Sequence, residues 1–225
     1  MRYATEAHVI EGHAGHPLPR WPSSFLLLAL GVLAGMTALV FLVVELPLLL
    51  GRNPAWSARI GPYAGILHVH AACGVLALFS GPLQFVPWVR QAHPALHRAL
   101  GHAYLAAIAV AGPLAVWVAV FHADPQEGLA ATVQGVLWMC TSATALMAVR
   151  RRDLATHRLW MARSYALTFT FVLHRYVIEI LGLRLPADLG GTAAFIWLLT
   201  IGVIFVSDSI VAFYRPAKQP LTTAG

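Results

Sequence analysis

Apolar residues run through this chain in six blocks, at about 25 to 50, 62 to 84, 102 to 121, 128 to 149, 158 to 183 and 191 to 214, separated by short polar segments. Each block is close to the ~20 residues that a helix needs to cross the hydrocarbon of a bilayer. The pattern predicts an all-α fold: a six-helix transmembrane bundle over 23–215, preceded by a flexible polar tail over 1–22 and followed by a short tail over 216–225. The first block is longer than a signal-peptide core and is not followed by a small-residue cleavage site, so it is expected to stay as an anchor. Composition points the same way, because 59% hydrophobic and only 11% charged residues lie far from the soluble average. Cys73 and Cys140 both fall in mid-span and form no CxxC pair, so no disulfide framework is expected.

The net charge of +6 raises the question of nucleic acid, but the basic residues alternate between loops instead of forming one stripe, and no nucleic-acid partner is expected. Alternation is a topology signal. With the amino terminus cytoplasmic, the inside segments carry Arg2, Arg20, Arg90, Arg98, Arg150, Arg151, Arg152, Arg158, Arg215 and Lys218, against only Arg52, Arg59 and Arg184 outside. Both termini are therefore expected to be cytoplasmic, in a multi-pass protein of a bacterial inner membrane. The tail histidines His8, His13 and His16 read as part of a solvated segment.

Against this apolar background stand Glu45, His68, His70, Arg163, His174, Arg175, Glu179 and Asp208. An Asp, Lys or Arg at the centre of a membrane helix costs at least ~2.5 kcal/mol, so such groups are paired, ligated or used. At ~1.5 Å per residue, Glu45 lies ~8 Å from the outer end of its span, His68 ~9, His70 ~12, His174 ~15 and Glu179 ~8 Å. These five share the outer half. Successive positions turn by ~100°, so His68 and His70 diverge by ~200° and only one can serve a common site. Arg163 and His174 fall within ~20° of each other, on a stripe with Leu167 and Thr170 that is expected to face the bundle interior. Arg163 and Asp208 lie at matching depths in the inner half and are expected to form a structural ion pair between helices five and six. Arg175 and Glu179 have i,i+4 spacing and are expected to neutralise each other.

The chemistry that this set suggests first is a b-type haem held by His174 with His70 or His68, between helices two and five, with Arg175 facing a propionate. A second haem between His102 and His157 departs from the paired-histidine spacing of two-haem bundles. A transition metal on Glu45, His70 and His174 is the variant. The alternatives are a proton-coupled transporter, with glutamates and histidines as a relay, and a structural or assembly protein. No Gly-rich phosphate loop or GxSxG elbow is present, so no nucleotide cofactor is expected. Electrons for a haem would come from a quinone or a redox partner protein.

Two loops rich in Trp, Arg and His stand out, HPxLHRxLGxxY from His93 and RRDxxxHRxWMxRSYAL from Arg151, preceded by HxHAA from His68 and GPLQFxP from Gly81. In these segments the chain resembles a bacterial predicted-membrane-protein family, domain of unknown function 2306, over roughly 62 to 180. The resemblance implies a membrane protein and carries no activity with it.

Overall fold

The computed structural model describes residues 23–213, with side chains from Leu28 to Ile210; both predicted tails, including His8, His13 and His16, lie outside the described residues. No strand occurs among the described residues. Helix α1 (Ser23–Val40) passes through a π-helical turn, Phe41–Glu45, into α2 (Leu46–Leu49). The short α3 (Pro54–Ile60) leads through a 3-10 turn, Gly61–Tyr63, into α4 (Ala64–Leu83), and a surface helix α5 (Pro87–Ala92) follows. Then come α6 (Pro94–His122), α7 (Pro125–Arg150), α8 (Leu154–Arg175) with a second π turn, Tyr176–Ile180, and α9 (Gly191–Phe213).

Helix starts carry local signals. Pro at the first helical position opens α3, α5, α6 and α7, where its missing N–H costs no intrahelical bond. Asn53, Asp124 and Asp153 accept from the N–H groups of Trp56, Gln126 and Thr156, each at 3.0 Å, and so cap α3, α7 and α8. Hydrogen bonding from Thr156 holds the Asp153 carboxyl below its ordinary value. This cap therefore contributes stability above the usual carboxylate range and loses it as pH falls through the lowered value.

Among the described residues, five helical stretches are long and apolar enough to cross a membrane: Leu28–Leu49, Pro54–Leu83, Pro94–His122, Pro125–Arg150 and Gly191–Ile210. The expected block at 158 to 183 is the exception. Its helix, α8, is 22 residues long, enough for ~33 Å, but it carries too many polar residues to qualify as an apolar span. Ser164, Tyr165, Thr168 and Thr170 among them point inward and are buried. Helix α8 packs on α7 and α9 and also meets α4 and α1, while α4, α6 and α7 follow one another side by side.

The middle of the bundle is a hydroxyl network. Tyr104 of α6, fully buried, places its hydroxyl 2.8 Å from Ser164 Oγ and 2.9 Å from Thr168 Oγ1 on α8. Trp138 of α7 donates its indole N–H to Thr168 Oγ1 at 2.8 Å. Ser142 Oγ lies 2.7 Å from Ser164 Oγ and donates to the Trp138 carbonyl, and Thr168 donates to the Ser164 carbonyl. Five donor protons serve these six contacts, so one contact is always without a proton of its own and the pattern can alternate.

Small residues let the helices approach closely enough for this. A Cβ on Gly81 would lie 2.3 Å from the Tyr165 ring, and one on Gly128 would lie 2.4 Å from the Ala119 carbonyl oxygen. Tyr165 thus rests in a notch of α4, with its hydroxyl donating to the Leu78 carbonyl at 3.4 Å. Gly81→Ala is expected to lower unfolding stability in detergent by about 1–3 kcal/mol through overpacking. Gly74→Ala, whose added methyl meets nothing within 4 Å, is expected to be neutral or slightly stabilising in the same assay.

Candidate functional site: a charged cluster at two π turns

Each π turn inserts one extra residue into a helix and turns the following side chains onto a new face. One ends at Glu45, and the other begins immediately after Arg175 and contains Glu179. The second turn packs against α1, the helix that leads into the first. Arg175 Nε lies 2.9 Å from Glu45 Oε1 and its Nη1 lies 3.7 Å from Glu179 Oε1. The N–H is not aimed along the shorter line, so the Glu45 contact is an ion pair and not an aligned hydrogen bond. The expected self-contained Arg175–Glu179 pair is thus corrected: the closer carboxylate comes from another helix. Sequence spacing sees only partners on the same helix.

Around the guanidinium, the Trp56 ring of α3 stands 5.7 Å and the Phe171 ring 5.6 Å from its central carbon. Aromatic faces there partly replace water for the cation. Glu45 and Arg175 side chains are mostly covered, whereas Glu179 retains 38% exposure. Two carboxylates share one guanidinium, leaving one negative charge.

The histidines are not gathered at this cluster. His70 turns toward α6, with Nδ1 3.0 Å from the Ala111 carbonyl, while His68 is exposed on the other side of α4. A carbonyl only accepts, so His70 carries its proton on Nδ1 and its Nε2 is uncommitted. His174 lies against Phe195 of α9, ring centres 5.6 Å apart, and its Nε2 is buried without a partner. From there to Tyr176, whose side packs toward α1 and α4 with Phe169 and Val172, is a turn of ~200°. The expected pairing of His174 with His70 or His68 across one haem is therefore not formed, because α8 presents His174 to α9 and not to α4. The expected triad of Glu45, His70 and His174 fails too: among the described residues no three metal-ligating side chains come together, and Glu45 is engaged by Arg175.

At the other end of the bundle, His102 is exposed on α6, whereas the half-buried His157 places Nδ1 2.9 Å from the Ala145 carbonyl of α7. Arg163 and Asp208 do meet: Nε donates to Oδ1 at 2.7 Å and an Nη to Oδ2 at 2.8 Å, a two-pronged clamp between α8 and α9. The Trp160 ring lies 4.4 Å from the same guanidinium. Leu167 and Thr170 of the same stripe are buried, with Gln134 of α7 donating to the Thr170 hydroxyl.

The family model described as predicted membrane protein (DUF2306) matches residues 67–214, well over half of the chain. The chain belongs to this family. It is a multi-pass membrane protein, with several long apolar helices. The match runs from α4 through α9, so it takes in Asp208 and reaches beyond the segment that the motifs mark, while Glu45 and α1 lie outside it. A fungal protein from Aspergillus versicolor, named Ava biosynthesis cluster protein G, is 35% identical over 86 residues, covering 36% of this chain and 24% of its own length. This chain thus spans about a quarter of that relative. No solved structure matches.

Of the residues that matter here, the hydroxyl network and Trp56 were missed by reading charges alone. Ser, Thr and Tyr recurring along one apolar block, at 164, 165, 168 and 170, were the available signal. For the clamp, a double-mutant cycle with Arg163→Met and Asp208→Leu is expected to give a coupling of about 1–2 kcal/mol, with each single variant less stable than the double. Zero coupling in detergent unfolding rejects the clamp.

Proposed function

We propose that this protein is a proton-coupled membrane transporter whose working group is the Glu45–Arg175–Glu179 cluster. The observation that carries the reading is the coincidence of that cluster with two π turns on facing helices. Interrupted helices cost backbone hydrogen bonds and recur where membrane helices handle polar cargo. One guanidinium between two carboxylates leaves a surplus negative charge, and in a poorly solvated site a single proton removes it. Protonation of Glu45 frees Arg175 for Glu179, so proton uptake changes the link between α1 and α8. The buried, unpartnered His174 Nε2 is one residue away and offers a second proton-accepting atom.

The reading includes six crossings, with α8 and its π turn as the sixth. It also places both termini on the cytoplasmic side of a bacterial inner membrane, on the strength of the arginine distribution. A second reading, haem or transition-metal binding with a quinone or redox partner protein, is favoured by one observation. His70, with Nδ1 on the Ala111 carbonyl and Nε2 free, has the tautomer of a metal-ligating imidazole.

Reconstituted in vesicles with an internal pH dye, the protein is expected to pass protons down an imposed gradient. Glu45→Gln is expected to reduce that flux by about a hundredfold or more, the usual scale for loss of a proton-transfer group. Flux equal to that of protein-free vesicles sinks the transport reading. A Soret band in the purified protein, lost in His70→Ala and kept in His68→Ala, decides for the second reading instead.

A further inference from the structure

The end of the bundle opposite the π turns gathers cations. Arg90 ends α5, His97 and Arg98 lie in the first turns of α6, and His157 and Arg158 lie in the first turns of α8. The charges of Arg90, Arg98 and His157 all bear on His97, and that of Arg158 bears on Arg90, so the two loops form one group. Among the described residues, none of these arginines has a carboxylate within 4.0 Å. The nearby acids are spent elsewhere: Asp153 caps α8 and Asp208 holds Arg163. Like charges held together without a counter-charge repel, and α6 and α8 present their amino-terminal ends here, which adds the same sign.

The group is also held in place. Gln84, buried at the end of α4, has its amide oriented by its neighbours: nitrogen 3.2 Å from the His97 carbonyl and 3.0 Å from His97 Nδ1, oxygen 3.2 Å from Gly101 N. With Nδ1 accepting from Gln84, neutral His97 carries its proton on Nε2, a donor that remains available. His157 is fixed by its bond to the Ala145 carbonyl. Partial burial, and then the charge of Arg158, hold Arg90 below its ordinary value, as expected for a cation lacking its anion.

We infer that this end binds the phosphate-bearing headgroup of an anionic phospholipid, held between Arg90, His97 and Arg98 on one side and Arg158 on the other. The surroundings favour a lipid over a soluble phosphate. Trp88, 62% exposed and edge-on to His93 with ring centres 4.1 Å apart, stands two residues before Arg90. Leu96 and Leu154 are also exposed beside the cations. An apolar rim against a cationic centre fits a headgroup with its acyl chains and offers nothing to a free ion.

The test is native mass spectrometry and thermal unfolding of the full chain in neutral detergent, with phosphatidylglycerol, phosphatidylcholine or inorganic phosphate added separately. Phosphatidylglycerol is expected to remain bound at about one per protein and to raise Tm, while phosphatidylcholine and phosphate leave both unchanged. Replacing Arg90, Arg98 and Arg158 together by Gln is expected to weaken retention about a hundredfold, at roughly a factor of five per charge. Replacement by Lys at the same three positions, which keeps the charge, is expected to retain most of the binding and guards against loss through misfolding. Arg59→Gln, at the opposite end, is expected to bind as wild type. Equal retention of phosphatidylcholine, equal stabilisation by phosphate, or undiminished binding by the Gln variant overturns the assignment.

Discussion

Hydrocarbon offers no hydrogen bonds, so a polar group that a helix brings into the membrane is costly unless the protein supplies its partner. Helix α8 makes that demand more than any other part of the chain. Its Ser164 and Thr168 hydroxyls are met by Tyr104, Trp138 and Ser142, its Arg163 and Arg175 by Asp208 and Glu45, and its Tyr165 by a notch at Gly81. Helices α7 and α9 pack directly on it, while α4, α6 and α7 also pack on one another.

That dependence explains what was legible. Five of the six blocks show themselves by apolar length alone, and the loops by Pro, Gly and Arg. The remaining block, 158 to 183, is also visible, but its polarity makes it look weakest although its helix is among the most enclosed. Matching depth was enough to pair Arg163 with Asp208, since both lie near known helix ends and on regular α-helix. Depth failed for the histidines because it says nothing of which neighbour a face meets. His70 and His174 stand at comparable heights yet turn to α6 and α9 respectively. Neighbour identity arises from packing, which one sequence does not display.

Helix α1 is attached differently from the others. Its apolar contacts are Val40 with Leu78, Phe169 and Val172, joined by Leu33 and Met36, and its polar contact is Glu45 on Arg175. Leu28, Val32, Leu39, Leu42 and Val43 face outward. The family match begins after it. The matched region thus contains Arg175 and Glu179, while the closer carboxylate, Glu45, lies outside it.

The two π turns also bear on how length changes would be tolerated. A π turn is equivalent to a single-residue insertion accommodated without breaking the helix. Deleting one residue from Phe41–Glu45 would restore regular winding and swing Leu46–Leu49 by ~100° around the axis, with Glu45 moved off the guanidinium. The charged cluster therefore exists in this register only, and chains with one residue fewer at either turn would keep the same bundle without the same cluster.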